Sequence, residues 1–187
     1  MFDRQLLLDG SNKSDTYMSA VRHASSIFWS KIGFSQRMRD EIKLLDRDVQ
    51  RSPKKVVGVH RRATDFSHTQ RVPISAFFNA TDPYIEQGWT VYLATDSNYT
   101  LRAFRRRYGD ARLAYLQIPR SWSKRSLHLS KRSRQSPAQY GRDAVLDAYF
   151  LSRSDHLIRT TSNVTTFSLV LKPDISVTEL DADLRYS

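Results

Sequence analysis

Short apolar runs alternate along this chain with longer segments whose apolar residues recur every three or four positions. The runs predict five strands: one from Val56 to about Val59, then Trp89–Asp96, Leu113–Ile118, His156–Arg159 and Ile175–Thr178. The longer segments predict helices. Tyr17, Val21, Ala24, Phe28 and Ile32 lie at helical spacing from about Asp15, and Gly33 suits the end. Ser35 is placed to cap a second helix with Met38, Ile42, Leu45 and Val49 on one face. Pro73–Gln87 reads as a third, which Pro83 should break or kink. Ser97 or Asn98 opens a fourth through Arg107, with Leu101, Phe104 and Tyr108 inward. Ser136-Pro137 opens a fifth to about Ser154, and a sixth runs from Asn163 to Leu171, stopped by Pro173.

Two helices are therefore followed by regular alternation of strands and helices. That order predicts an α/β fold with a Rossmann-like parallel sheet and helices on both faces. The expected organisation is a helical segment over 1–53 and a Rossmann-like domain over 54–187.

Composition narrows the partners. The 187 residues carry 30 Lys and Arg against 19 Asp and Glu, a formal net charge of +11. Such a balance favours anionic partners: nucleic acid, a membrane surface or a phosphorylated substrate. No run approaches the ~20 apolar residues of a membrane span. Met1–Gly10 is too short in apolar residues and too charged for a signal peptide, so the expected location is cytoplasmic. The absence of cysteine excludes thiolate chemistry and cysteine-based zinc sites. Residues 119–134 form a basic stretch with Trp122 and His128. It reads as an acceptor-side lid or as a solvated insertion.

The chemistry gathers where strands end. VVGVHRRATD, Val56–Asp65, is a buried strand that delivers His60, Arg61 and Arg62 at its carboxyl end, the edge where open α/β sheets bind ligands. Two arginines there suit a phosphate; solvated charges are the alternative. Thr95-Asp96 ends the next strand, where Asp96 is a ligand contact or a turn residue. Ser162 and Asn163 start a helix, a ready anion site or a plain cap. Asp147 lies in the apolar run AVLDAYFLS, so its carboxylate needs a partner. An internal arginine would serve, and so would the adjacent N1–H and amine of a guanine. Asp143 sits one turn earlier. The Asp-x-Asp pairs Asp46/Asp48 and Asp181/Asp183 lie on polar segments and make poor metal sites, so no metal ligand is assigned.

Three stretches in this order, GVHRRATD, VYLATDS and YGRDAVLDAYFLSRSDHLIRTTSN, resemble the ordered motifs of a fucosyltransferase superfamily. It includes α1,6-fucosyltransferases, rhizobial nodulation-factor fucosyltransferases and protein O-fucosyltransferases. The resemblance covers roughly residues 54–180, the donor-binding half of a two-lobed GT-B glycosyltransferase. It implies metal-independent transfer of fucose from GDP-fucose to a glycan or protein hydroxyl, without a cofactor. It also implies roles: His60 and Asp147 on guanine, Arg62 on the diphosphate as the catalytic cation, Ser162 and Asn163 on the β-phosphate. Asp96 matches an acidic residue of the second motif. One departure is that the family's second arginine falls on Ala63, with Arg61 one place early. Another is length: about 50 residues before the first motif are too few for a second lobe. The N-terminal helices, a further domain or a partner chain would have to complete the site. The general base is not assigned, Asp65 and His128 being the candidates. Competing readings are a basic nucleic-acid-binding module and a non-catalytic GDP-sugar-binding protein.

Overall fold

The structure, a computed structural model, describes residues 12–49, 54–64, 72–123 and 136–180. Five parallel strands form one sheet: β1 Val56–Arg61, β2 Thr90–Thr95, β3 Leu113–Ala114, β4 His156–Arg159 and β5 Ser176–Glu179. Six α-helices accompany them: α1 Asn12–Ile27, α2 Gln36–Val49, α3 Ile74–Glu86, α4 Asn98–Tyr108, α5 Pro137–Ser152 and α6 Asn163–Leu171. The strand order is β3-β2-β1-β4-β5. The chain winds outward from β1 through β2 to β3, then crosses back to lay β4 on the other side of β1. Neighbouring strand ends diverge at such a reversal, and ligands of doubly wound sheets bind there. The site therefore belongs between β1 and β4.

Alternation along the strands sorts the core into two layers. Val57, Val59, Val91, Leu93 and Ile158 pack with Phe77 of α3 and with Leu101 and Phe104 of α4. Tyr92, Ala94 and Leu157 face the other way, onto Leu146, Phe150 and Leu151 of α5 and Leu169 of α6. Val21 of α1 and Ile42 of α2 join that second cluster, so the N-terminal helices cover the α5–α6 side. Gly58 is what lets α5 approach β1. A Cβ there would stand 2.6 Å from Ser154 Oγ and 3.2 Å from Leu151 Cδ2, too close for either to stay where it is.

The elements follow their sequence signals with three differences. Phe28–Ile32 continues α1 as a π-helical turn, closed by the Gly33 N–H on the Phe28 carbonyl at 2.7 Å, with Gly33 at φ 63°. Pro83 does not break α3. The carbonyl it deprives of a partner belongs to Asn79; both residues are exposed, so water can replace the bond.

The third strand is shorter than its apolar run predicts, two residues instead of six. The reason is a buried arginine. Arg120 donates from Nε to the Thr95 carbonyl at 3.0 Å, from Nη1 to Ile118 at 3.0 Å and from Nη2 to Leu116 at 2.8 Å. One guanidinium thus supplies donors that a strand partner would otherwise supply. Replacing Arg120 with methionine should destabilise the fold by about 3 kcal/mol, because three carbonyls lose their donor at once. Urea unfolding measures it; a variant within 0.5 kcal/mol of the parent, roughly the spread of a neutral surface change, would refute the role.

Candidate functional site

The carboxyl ends of β1 and β4 lie side by side, with His60 opposite Arg159 in the register. Opposed residues of a parallel pair project to the same face, here the α5–α6 face. His60 is buried at 6 % exposure. Its Nδ1 lies 3.5 Å from Ser162 Oγ. Burial, together with the charges of Arg62 and Arg159, pulls its pKa down to about 3, so the imidazole is neutral. A neutral ring offers one donor and one acceptor without adding charge to two arginines.

Ser162 caps α6. Its Oγ accepts from the Thr165 N–H at 3.2 Å, and Thr165 Oγ1 accepts from the Ser162 N–H at 3.1 Å, a reciprocal box. The first intrahelical bond runs from Thr166 N–H to the Ser162 carbonyl at 2.8 Å. The N–H groups of Asn163 and Val164 precede it, at the positive end of the helix dipole. Asn163 is exposed. The cap and the anion-site readings are thus compatible: the side chain serves the first, the leading amides are free to serve the second.

Asp147 approaches from α5. It is 8 % exposed and accepts the Tyr92 hydroxyl at 2.8 Å. Tyr92 sits opposite Gly58, two residues before His60 on β1, so Asp147 and His60 address the same face of the sheet. Burial raises the Asp147 pKa to about 7, against the pull of the Tyr92 hydroxyl and the Arg120 charge, while Asp143 pushes it up further. Asp143 itself is buried and ion-paired with Arg142 at 2.7 Å. The internal arginine that Asp147 demands is Arg120, which acts through its charge while three of its five N–H groups are spent on carbonyls.

The two arginines after His60 part company. Arg61 turns to the opposite face, where its Nη1 donates to Thr100 Oγ1 at 2.6 Å and its guanidinium lies 5.7 Å from the Phe77 ring. It therefore neither takes the place of the family's second arginine beside His60 nor stays in solvent. Arg62 follows the last strand residue and is exposed at the rim.

Asp96 lies beneath that rim. Its Oδ1 accepts the Ala63 N–H at 2.7 Å, and its Oδ2 accepts the Thr64 N–H at 3.2 Å and the Thr64 hydroxyl. Of the two readings its sequence allows, the turn residue fits these bonds: Asp96 clamps the turn that carries Arg62. The β2 end is tied in turn to the segment after β3, by Ser121 N–H to the Asp96 carbonyl at 2.8 Å and Asn98 N–H to Ser121 at 2.9 Å. Replacing Asp96 with alanine should cost about 2–3 kcal/mol, since three donors, two of them backbone, lose a charged acceptor. Asparagine, with one acceptor oxygen, should fall between. Equal melting temperatures for all three proteins would refute the clamp.

Among the described residues no group of three acidic or histidine side chains is arranged to hold a metal ion, and no helix is long and apolar enough to cross a membrane. Of the basic clusters, Arg105 pairs with Asp110 at 2.6 Å and Arg107 with Asp82 at 2.5 Å. Trp122 is exposed against Tyr99. Asp65, His128, most of the basic stretch 119–134 and the pair Asp181/Asp183 lie outside the described residues.

No protein-family profile matches the chain, and no curated protein matches it in sequence. Comparison with solved structures finds the NodZ α-1,6-fucosyltransferase soaked with GDP-fucose, at TM-score 0.52 and 18 % identity over 81 % of this chain and 46 % of that one. The chain shares the fold of part of a NodZ fucosyltransferase. Selenomethionyl NodZ from Bradyrhizobium also matches, at TM-score 0.48 and 12 % identity over 95 % of this chain and 64 % of that one. The chain spans about half the length of the NodZ structure it superposes on best among these two. At this identity the NodZ-like fold is what the likeness carries; the roles of individual residues rest on the geometry above.

The residues that sequence reasoning missed are the supporting ones. Tyr92 and Arg120 hold Asp147 in its environment; Tyr92 lies inside VYLATDS but was not singled out there, and Arg120 sits in no motif. Arg159 was legible only as the last residue of a strand, though a charge closing the apolar run HLIR before TTSN was the available signal.

Proposed function

We propose that this chain binds a guanosine diphosphate sugar, GDP-fucose, at the carboxyl ends of β1 and β4, and that it forms the donor half of a metal-independent fucosyltransferase. The observation that supports the reading is that His60 lies within 3.5 Å of Ser162 at the start of α6, on the same face of the sheet as buried Asp147, which Tyr92 holds. Each has a role matched to its chemistry. Asp147 as a carboxylate accepts two adjacent donors from guanine, which adenine and uracil do not present. His60 adds a polar contact without charge. The leading amides of α6 and the Arg62 guanidinium face the diphosphate.

Breaking the bond between the sugar and the diphosphate passes through an oxocarbenium-like state, with negative charge growing on the β-phosphate. Donors fixed around that oxygen stabilise the transition state more than the ground state. On this reading Arg62 is the catalytic residue, and the charge is met by the protein without a metal. A further domain, a partner chain or the N-terminal helices would complete the site for the glycan or protein acceptor, and Asp65 and His128 stay the candidates for its general base.

The test is GDP release from GDP-fucose in the presence of EDTA, with and without candidate glycan acceptors. Release that persists in EDTA supports the reading. Tight donor binding with no release under any acceptor would make the protein a GDP-sugar-binding protein instead. The nucleic-acid alternative has less to stand on, because Arg105 and Arg107 are ion-paired and Arg120 is buried.

A further inference from the structure

Arg159 closes β4 at the strand reversal, beside His60 and three residues before the α6 cap. Its side chain is only 5 % exposed, yet among the described residues it makes a single side-chain hydrogen bond, from Nη2 to Glu179 Oε2 at 3.3 Å. Among the described residues Nε and Nη1 are buried and have no hydrogen-bond partner. Glu179 is a divided counterion: its other oxygen accepts the Thr161 hydroxyl, and its side chain is 27 % exposed. A buried guanidinium with unmet donors is costly, and native proteins keep few of them. The deficit is placed where the sheet topology puts a ligand. It also lies three residues before the start of α6, whose leading amides suit an anion. Burial first, and the charges of Arg62 and Arg159 after it, keep the neighbouring imidazole neutral, so the positive field there is not shared with a third cation.

We propose that Arg159 is a further substrate-binding residue of this site, whose Nε–H and Nη1–H donate to anionic oxygens of the nucleotide's diphosphate. The inference rests on the donor-site reading above and adds a second cation to it. Arg62 meets the diphosphate from the exposed rim; Arg159 meets it from within the sheet edge. Glu179 then holds the guanidinium in place before the nucleotide arrives and competes weakly for it.

The experiment compares guanosine, GDP, ADP, UDP and inorganic pyrophosphate by calorimetry on the parent chain, and guanosine, GDP and pyrophosphate on Arg159→Met and Glu179→Gln. Arg159→Met should weaken GDP and pyrophosphate by tenfold or more and leave guanosine within twofold. Glu179→Gln should tighten GDP severalfold, again with guanosine unchanged. An unaltered ratio of GDP to guanosine affinity in folded Arg159→Met would overturn the assignment. If that variant does not fold, an unaltered ratio in Glu179→Gln overturns it equally. A parent chain that binds GDP, ADP and UDP alike removes the guanine reading while the diphosphate ratio still decides Arg159. A parent chain that binds neither nucleotide nor pyrophosphate removes both.

Discussion

Arg62→Ala is expected to abolish sugar transfer while leaving the fold intact. Arg62 is exposed and stands outside both core clusters, so its removal takes little from stability. On the proposed reading its value lies in charge that would meet the β-phosphate as the bond to the sugar breaks. Removing one preorganised donor to a developing anion typically lowers kcat by about 10²–10³-fold, and a full cation facing a diphosphate should be at the upper end or beyond. Lysine at 62 should restore part of the rate, because it supplies the charge without the planar fork. The paired measurements are single-turnover GDP release and the melting temperature. Full turnover in the alanine variant would move the catalytic charge elsewhere. Lost turnover with a melting point lower by ten degrees would mean that Arg62 is structural.

The second large effect concerns Asp147 and pH. Its pKa near 7 leaves much of it protonated at neutral pH in the free protein. Guanine offers two donors and so requires the carboxylate. GDP affinity should therefore rise with pH up to about 7, by as much as tenfold per unit below it, and level off above. Asp147→Asn should remove this dependence and most of the preference for guanine, since an amide sets a donor against donors. A parent affinity that does not change between pH 5.5 and 8 would contradict Asp147 as the guanine acceptor.

The same two buried groups shape stability in opposite senses. Asp147, at about 7 folded against 3.8 unfolded, holds an extra proton in the native state across that window, so its contribution falls as pH rises through it. His60, at about 3 folded against 6.5 unfolded, lacks a proton that the unfolded chain binds, so its contribution falls as pH drops below 6.5. Between about pH 4 and 6.5 the slopes oppose each other. The parent should change little there, and Asp147→Asn should expose the acid sensitivity of His60 as a melting point that falls with pH. Parallel curves for the two proteins would show that Asp147 is not held protonated.

Much of the architecture was readable from local pattern because strands and helices alternate cleanly and the caps are strong. Ser97 and Ser136 cap α4 and α5 as their sequence positions indicate. What escaped depended on distant partners. The run Leu113–Ile118 carries the apolar pattern of a strand, yet only two residues pair, because Arg120 folds back onto carbonyls that a strand neighbour would have used. Pro83 signals a break that exposed Asn79 makes needless. At the site, His60, Ser162 and Asp147 stood out by type and place, a histidine at a strand end, a serine before a helix, an acid among apolar residues. The place of Arg61 was hidden in the sequence, since only the strand's alternation turns it to Thr100 and Phe77 on the α3–α4 face. The function of Asp96 was equally hidden, since an acid at a strand end looks the same whether it holds a ligand or a turn.

Isothermal calorimetry of the unmodified chain with GDP, ADP and UDP at pH 7.5 bears most directly on whether the β1–β4 edge is a guanine nucleotide site. The expected result is one GDP per chain, with ADP and UDP weaker by at least tenfold. Three equal affinities, or no heat from any of them, would contradict it.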